Sequence, residues 1–239
     1  MKKVRESKYQ CWEISGILWD IWSDTICLLV HGFQSNSKSR LMRNYAVSLT
    51  TSGLNTLRVD LYNKSLRNTM NVTFQDHLDD IDKVIVELKT RYKKVIYVGH
   101  SLWWAIGGLV VNNSLIDGML LRDSAIPSIV QFESFLKVSS IDWVKCYQTI
   151  RSRRSIITIE YWNQLVTFNE EYFKNINCPY LAICCDQVWF YNHTKQFDSL
   201  DKKQKTILIP WSSHNFQQRW TEEKLFELSD AFLKDIWIL

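Results

Sequence analysis

Three residues of this chain have the types that nucleophilic acyl transfer requires: a hydroxyl, a base within reach of it, and a carboxylate to orient the base. Ser101 lies in "KKVIYVGHSLWWAIGGLV", residues 93 to 110, where a buried strand gives way through a sharp turn to a helix expected from Leu102 to about Asn112. At such a turn the hydroxyl projects from a strand end, and the N–H groups of the helix N-terminus favour negative charge beside it. A serine at a strand-to-helix junction is also an ordinary helix cap. His214, in "LIPWSSHNF", follows the last strand of the pattern. That puts it on the edge where open α/β sheets bind ligands. The other histidines read differently: His77 falls inside a helix pattern, His193 in a polar loop, and His31 and His100 beside turns where they look structural. For the carboxylate, Asp186 follows the strand "PYLAICC" and Asp123 follows "IDGMLL". Either could orient the base, and a third reading leaves Asp186 as a turn cap with no acid serving.

The elements that must hold these residues follow an alternating pattern. Short strands around Tyr9 to Ile14 and Ile17 to Ile21 precede "TICLLVHGF", a continuous apolar run suited to a strand buried on both faces. Leu41, Tyr45 and Leu49 recur at helical spacing up to Gly53, and "NTLRVDL" reads as a strand. From the cap Thr73, the residues Phe74, Leu78, Ile81, Ile85 and Leu88 keep a 3.6-residue period up to "KVIYVG". "KTILIP" is the last strand, and a helix opened by Thr221, Glu222 and Glu223 buries Leu225, Leu228, Phe232 and Ile236. This order predicts an α/β fold with a mostly parallel sheet flanked by helices. Between Asp123 and Cys178 the alternation lapses. Because a structureless loop of that length is unusual, a small helical insertion over 125–176 is expected, dividing a core of 1–124 and 177–239.

Length and composition bound the rest. A chain of 239 residues can bury a large core without staples, and its six cysteines, in no metal-binding or redox spacing, read as reduced core thiols. No metal or other cofactor is called for. The basic N-terminus lacks the apolar stretch of a signal peptide, which predicts a cytoplasmic protein, and no apolar run reaches membrane-spanning length. A net charge of +4, dispersed apart from "RSRR" at 151–154, speaks against nucleic acid as a partner. Oligomeric state is not readable.

Taken together, "LLVHGFQSNSKS", "VGHSLWW", "CPYLAICCDQV" and "IPWSSHNF" resemble the oxyanion loop, G-x-S-x-G elbow, acid strand and histidine loop of the α/β-hydrolase superfamily, in particular its small bacterial esterases and lipases. The resemblance spans nearly the whole chain. It implies a Ser101 nucleophile, a His214 base and an oxyanion hole from the N–H groups of Phe33 and Leu102. It also implies a lid formed by the insertion, and hydrolysis of small or medium acyl esters. The chain departs from the pattern at two places. Val188 occupies the usual acid register, leaving Asp186 as the substitute, and Trp103 replaces the third glycine of the elbow. Two further readings therefore stand beside the esterase: an impaired hydrolase fold kept for binding, and a thioesterase or amidase using the same triad.

The tryptophans form a second anomaly. Seven glycines stand beside eleven tryptophans, and their sum matches the roughly 17 glycines that average usage gives a chain of this length. Trp103, Trp104 and Trp211 fall where the resembled family has glycine or small residues, and Trp19, Trp22 and Trp220 fall in turn-like contexts. Either the tryptophans line an acyl pocket, or many of them mark UGA codons that the cell reads as glycine.

Overall fold

The computed structural model describes residues 4–33, 35–61, 71–101, 113–123, 136–141, 144–149, 156–167, 175–185, 195 and 198–238. A hairpin opens the chain, β1 (Arg5–Cys11) against β2 (Ile14–Asp20). Next come β3 (Thr25–Val30), α1 (Arg40–Thr51), β4 (Asn55–Asp60), α2 (Phe74–Arg91), β5 (Lys94–His100) and β6 (Gly118–Arg122). After the insertion the chain returns with β10 (Tyr180–Cys184), β11 (Gln204–Leu208) and α4 (Arg219–Asp235). Among the described residues the main sheet has eight strands, in the order β1-β2-β4-β3-β5-β6-β10-β11. The β1–β2 and β2–β4 pairs are antiparallel and all the others parallel.

Burial explains the apolar runs. Every residue of β3, β6 and β10 is buried, because helices or insertion cover both faces of the sheet. One core face joins β3, β5 and β6 to α2 through Phe74, Leu78, Ile81, Ile85 and Leu88; the opposite face joins the sheet to α1 and α4 through Leu41, Tyr45, Leu225 and Phe232. Helix α2 begins where its sequence directs. Thr73 Oγ1 accepts from the Asp76 N–H at 3.1 Å, and Asp76 Oδ2 accepts from the Thr73 N–H at 2.6 Å, a reciprocal capping box.

Two expectations change. The hairpin turn falls at Trp12 and Glu13, with Cys11 paired to Ile14, so Gly16 lies inside β2. There a Cβ would sit 2.6 Å from the Arg58 carbonyl oxygen, so the glycine serves close strand approach and no turn. The insertion, expected to be helical, contains an antiparallel three-stranded sheet of β7 (Leu136–Ile141), β8 (Val144–Thr149) and β9 (Ile156–Thr158), followed by a single described helix, α3 (Ile159–Val166). Its β-branched residues, in "LKVSSI" and "IIT", favour pleated strands over helical turns. Helix α3 joins the insertion to the core: the Tyr161 ring meets Phe74 edge-on at 5.7 Å, and Tyr161, Trp162 and Leu165 are buried. None of the six cysteines is in a disulfide among the described residues. No helix among the described residues is long and apolar enough to cross a membrane.

Candidate active site

The parallel strands deliver three polar side chains to one edge of the sheet. Ser101 follows β5, Asp123 follows β6, and His214 lies in the loop after β11. Neighbouring strands fix the first two by their backbones: the Ser101 N–H donates to the Arg122 carbonyl at 3.0 Å, and the Asp123 N–H to the Ile183 carbonyl at 2.7 Å. Both residues have positive φ, 60° at Ser101 and 40° at Asp123. That conformation costs a non-glycine residue energy and recurs at functional turns, where it aims a side chain off the strand axis.

The side chains meet in series. His214 Nε2 lies 3.0 Å from Ser101 Oγ, and His214 Nδ1 is hydrogen-bonded to Asp123 Oδ2. Since a carboxylate only accepts, Nδ1 carries the proton and Nε2 is left to accept from the serine hydroxyl. Asp123 is fully buried, and its other oxygen accepts from the Cys185 N–H at 2.9 Å. One carboxylate thus has both oxygens engaged, one by the histidine and one by the backbone at the end of β10. His214 is 39% exposed in its side chain and opens towards solvent.

The sequence placed Asp186 at this position. The carboxylate at His214 Nδ1 is that of Asp123, the alternative, and a singly protonated Nδ1 has one hydrogen to give. Asp186 and Val188 lie outside the described residues, as do Leu102, Trp103, Trp104 and the basic cluster at 151–154. Phe33, the other expected oxyanion residue, lies with Gly32, His100, Ser101 and His214 around a cleft of about 430 Å³. Its ring is 6.4 Å from that of Tyr161 in α3, so the insertion packs directly beside this loop.

Two histidines read as structural hold the loops of the site. His31 is buried; its Nδ1 donates to the Gly32 carbonyl at 2.8 Å while its Nε2 accepts from the Leu61 N–H at 3.2 Å, tying the Gly32–Phe33 turn to the end of β4. Burial pushes its pKa below the usual histidine value. His100 donates from Nε2 to the backbone carbonyl of His214 at 3.0 Å, pinning the histidine loop. Burial, reinforced by the nearby His214 and Arg122, holds its pKa down at about 3. It is therefore held neutral at neutral pH. Nothing in their spacing marks these two as loop anchors; the signal is their place one residue after β3 and at the end of β5. Ser37 completes the frame: its N–H and hydroxyl donate to the two Asp60 oxygens at 2.6 and 2.8 Å. Gly32 packs tightly, since a Cβ there would lie 3.1 Å from both His100 Nδ1 and Ser101 Cβ.

No family model matches the chain, and no curated protein sequence does. Solved structures do. Est1E from Butyrivibrio proteoclasticus superposes with a TM-score of 0.75 at 17% identity, over 98% of this chain and 99% of that one. The esterase domain of a Rhodothermus marinus protein gives 0.71 at 15% identity, over 98% of both chains. Dienelactone hydrolase from Anabaena variabilis gives 0.67 at 15%, over 98% of this chain and 97% of that one. Strand order, parallel pairing, strand-end polar residues and this similarity over the full length converge: the chain has the α/β-hydrolase fold.

Proposed function

We propose that the chain is a serine hydrolase that cleaves carboxylic esters of small or medium acyl groups through an acyl-enzyme on Ser101. The observation that carries this reading is the continuous contact from Ser101 Oγ through His214 to the buried Asp123. In the first half-reaction His214 Nε2 takes the hydroxyl proton as Ser101 Oγ bonds to the ester carbonyl carbon. The oxyanion receives the N–H groups of the Phe33 loop, with Leu102 the second donor implied by the family resemblance. Collapse breaks the ester C–O bond, and the imidazolium returns its proton to the leaving alkoxide. Water then repeats the sequence on the acyl-enzyme, releasing the acid and restoring Ser101. Asp123 holds the imidazole in the tautomer with its proton on Nδ1 and offsets the transient positive charge.

The cleft volume of about 430 Å³ suits a small ligand. One structural neighbour, Est1E, has been solved with ferulic acid bound, at 18% identity to this chain. This supports including an aromatic acyl ester among the substrates. The test is hydrolysis of p-nitrophenyl acetate, p-nitrophenyl butyrate and methyl ferulate by the wild type and by Ser101→Ala, with the acetyl thioester of N-acetylcysteamine and the matching anilide in parallel. The reading expects ester turnover that falls about a thousandfold or more in Ser101→Ala. Equal rates in the two proteins refute it, and a preference for thioester or amide moves the substrate class.

A further inference from the structure

Seven tryptophans fall among the described residues, and four of them, Trp12, Trp22, Trp211 and Trp237, have positive φ: 53°, 60°, 59° and 63°. Among the described residues eight non-glycine positions share that conformation, so tryptophan supplies half of them. A bulky residue there is a genuine outlier, because its Cβ crowds the backbone; glycine has no such penalty. The same four tryptophans are 78%, 66%, 78% and 80% exposed, an unusual place for so large an aromatic side chain.

We infer that Trp12, Trp22, Trp211 and Trp237 are glycine in the protein as its own cell makes it, each specified by a UGA codon that the cell reads as glycine and that has been rendered as tryptophan. UGA differs by one base from the tryptophan codon UGG and by one base from the glycine codon GGA. One misreading rule therefore accounts for all four.

The local geometry at each position calls for glycine on its own terms. Trp12 is the first residue of the two-residue loop between β1 and β2, and it alone of that pair has positive φ. This is the type II′ hairpin pattern, which takes glycine at its first central position. Trp211 is third in Ile209-Pro210-Trp211-Ser212, where proline followed by positive φ is the type II pattern and the third residue is glycine. Trp237 follows the C-cap of α4: its N–H donates to the Lys234 carbonyl at 3.1 Å, and the Ile238 N–H donates to the Leu233 carbonyl at 2.9 Å. These are the two bonds of a Schellman motif. Helix α1 ends on the same motif, with Gly53 at φ 94° donating to Thr50 at 3.1 Å and Leu54 to Leu49 at 3.1 Å. The molecule thus contains its own comparison, glycine at one terminus and tryptophan at the other. Trp22 sits in an Asx turn between β2 and β3, its N–H donating to Asp20 Oδ1 at 2.8 Å.

The indoles contribute little in return. The hydrogen bonds at these positions use the backbone: Gln10 Nε2 donates to the Trp12 carbonyl at 2.6 Å and Lys94 Nζ to the Trp237 carbonyl at 2.5 Å, and a glycine makes both equally well. Lys83 and Lys203 stand 6.0 Å from the Trp12 and Trp237 rings, at the outer limit of a cation–π contact. Trp19 and Trp162 are different. The Trp19 indole N–H donates to Glu6 Oε2 at 2.6 Å beneath the Arg58 guanidinium, and Trp162 is buried within α3. Trp220 lies in the first turn of α4 with no positive φ. The inference does not extend to these three. Trp103 and Trp104 lie outside the described residues and do not enter it.

Peptide mass spectrometry of the protein isolated from its own cells, read against the gene, decides the matter. The expected result is glycine at positions 12, 22, 211 and 237 over UGA codons, with tryptophan retained at position 162 over UGG. Tryptophan at two or more of the four, or glycine at position 162 as well, overturns the inference. A second measurement reads the conformation itself. Relative to a chain carrying tryptophan at all four positions, each of Trp12→Gly, Trp22→Gly, Trp211→Gly and Trp237→Gly should raise Tm by about 2–4 °C. No rise in the combined variant overturns the conformational argument, whatever its activity.

Discussion

Replacing Asp123 by asparagine changes one oxygen of the buried side chain to an amide nitrogen and should nearly stop turnover. The Cys185 N–H needs an acceptor and selects the remaining Oδ1. The new NH₂ group is then turned towards His214 Nδ1, where two donors would meet. The histidine avoids this by moving its proton to Nε2, which accepts the amide at Nδ1 and turns a donor towards Ser101. No lone pair then faces the serine hydroxyl, and the base is lost while the fold is kept. The loss expected from such a reversed tautomer is about 10⁴-fold in kcat, close to 5.4 kcal/mol of transition-state stabilisation. Initial rates on p-nitrophenyl acetate, with far-UV circular dichroism to confirm folding, measure it. Asp186→Asn is the companion variant and should stay within about threefold of wild type. A loss of less than tenfold in Asp123→Asn, or a greater loss in Asp186→Asn, would refute the assignment of the acid to the end of β6.

Gly32→Ala should retain the fold and lower kcat/KM by about 10–100-fold, because the added Cβ presses on His100 and Ser101 at 3.1 Å and displaces the Gly32–Phe33 turn by a few tenths of an ångström; wild-type rates in that variant contradict the tight packing. His100 makes stability depend on pH. With its folded pKa depressed to about 3 against about 6.5 in the unfolded chain, the unfolded state takes up the proton first. The stabilisation is therefore complete above about pH 6.5 and is lost as pH falls towards 3, at about 1.4 kcal/mol per pH unit. Urea midpoints across that range should show the slope, with His100→Asn reducing it, and identical slopes in both proteins would show that His100 does not titrate this way.

The sequence made some of this legible and hid the rest for identifiable reasons. Strands β3, β5 and β10 were readable because burial on both faces demands uninterrupted apolar runs, and α2 because Thr73 and its period are local signals. Ser101 and His214 stand out in the sequence because each follows a strand, and the fold brings their side chains within 3.0 Å of each other. The carboxylate beside His214 does not stand out in the same way. Asp123 and Asp186 each follow a strand, and what separates them is that β6 and β10 are neighbours, with the Cys185 N–H binding the Asp123 carboxylate. No sequence spacing encodes that. The insertion misled because its helical reading rested on the length of the lapse alone, whereas β7 pairs with β8 over Leu136 to Ile141. The first hairpin misled for a different reason: its turn falls at Trp12, where no turn residue stands, while Gly16, which resembles a turn signal, lies within a strand because the Arg58 backbone comes too close for a side chain. The turns at Trp12 and Trp211 thus carry aromatic residues where such turns take glycine.

The proposed hydrolase depends on Ser101 acting as a nucleophile activated by His214, which Asp123 holds. Reaction of the purified protein with a fluorophosphonate, followed by peptide mass spectrometry, tests it without reference to any substrate. One phosphonyl group should appear on Ser101, absent from Ser101→Ala and formed at least a hundredfold more slowly in His214→Ala and Asp123→Asn. Labelling at another residue, or labelling of Ser101 at the same rate in all of these proteins, would contradict it.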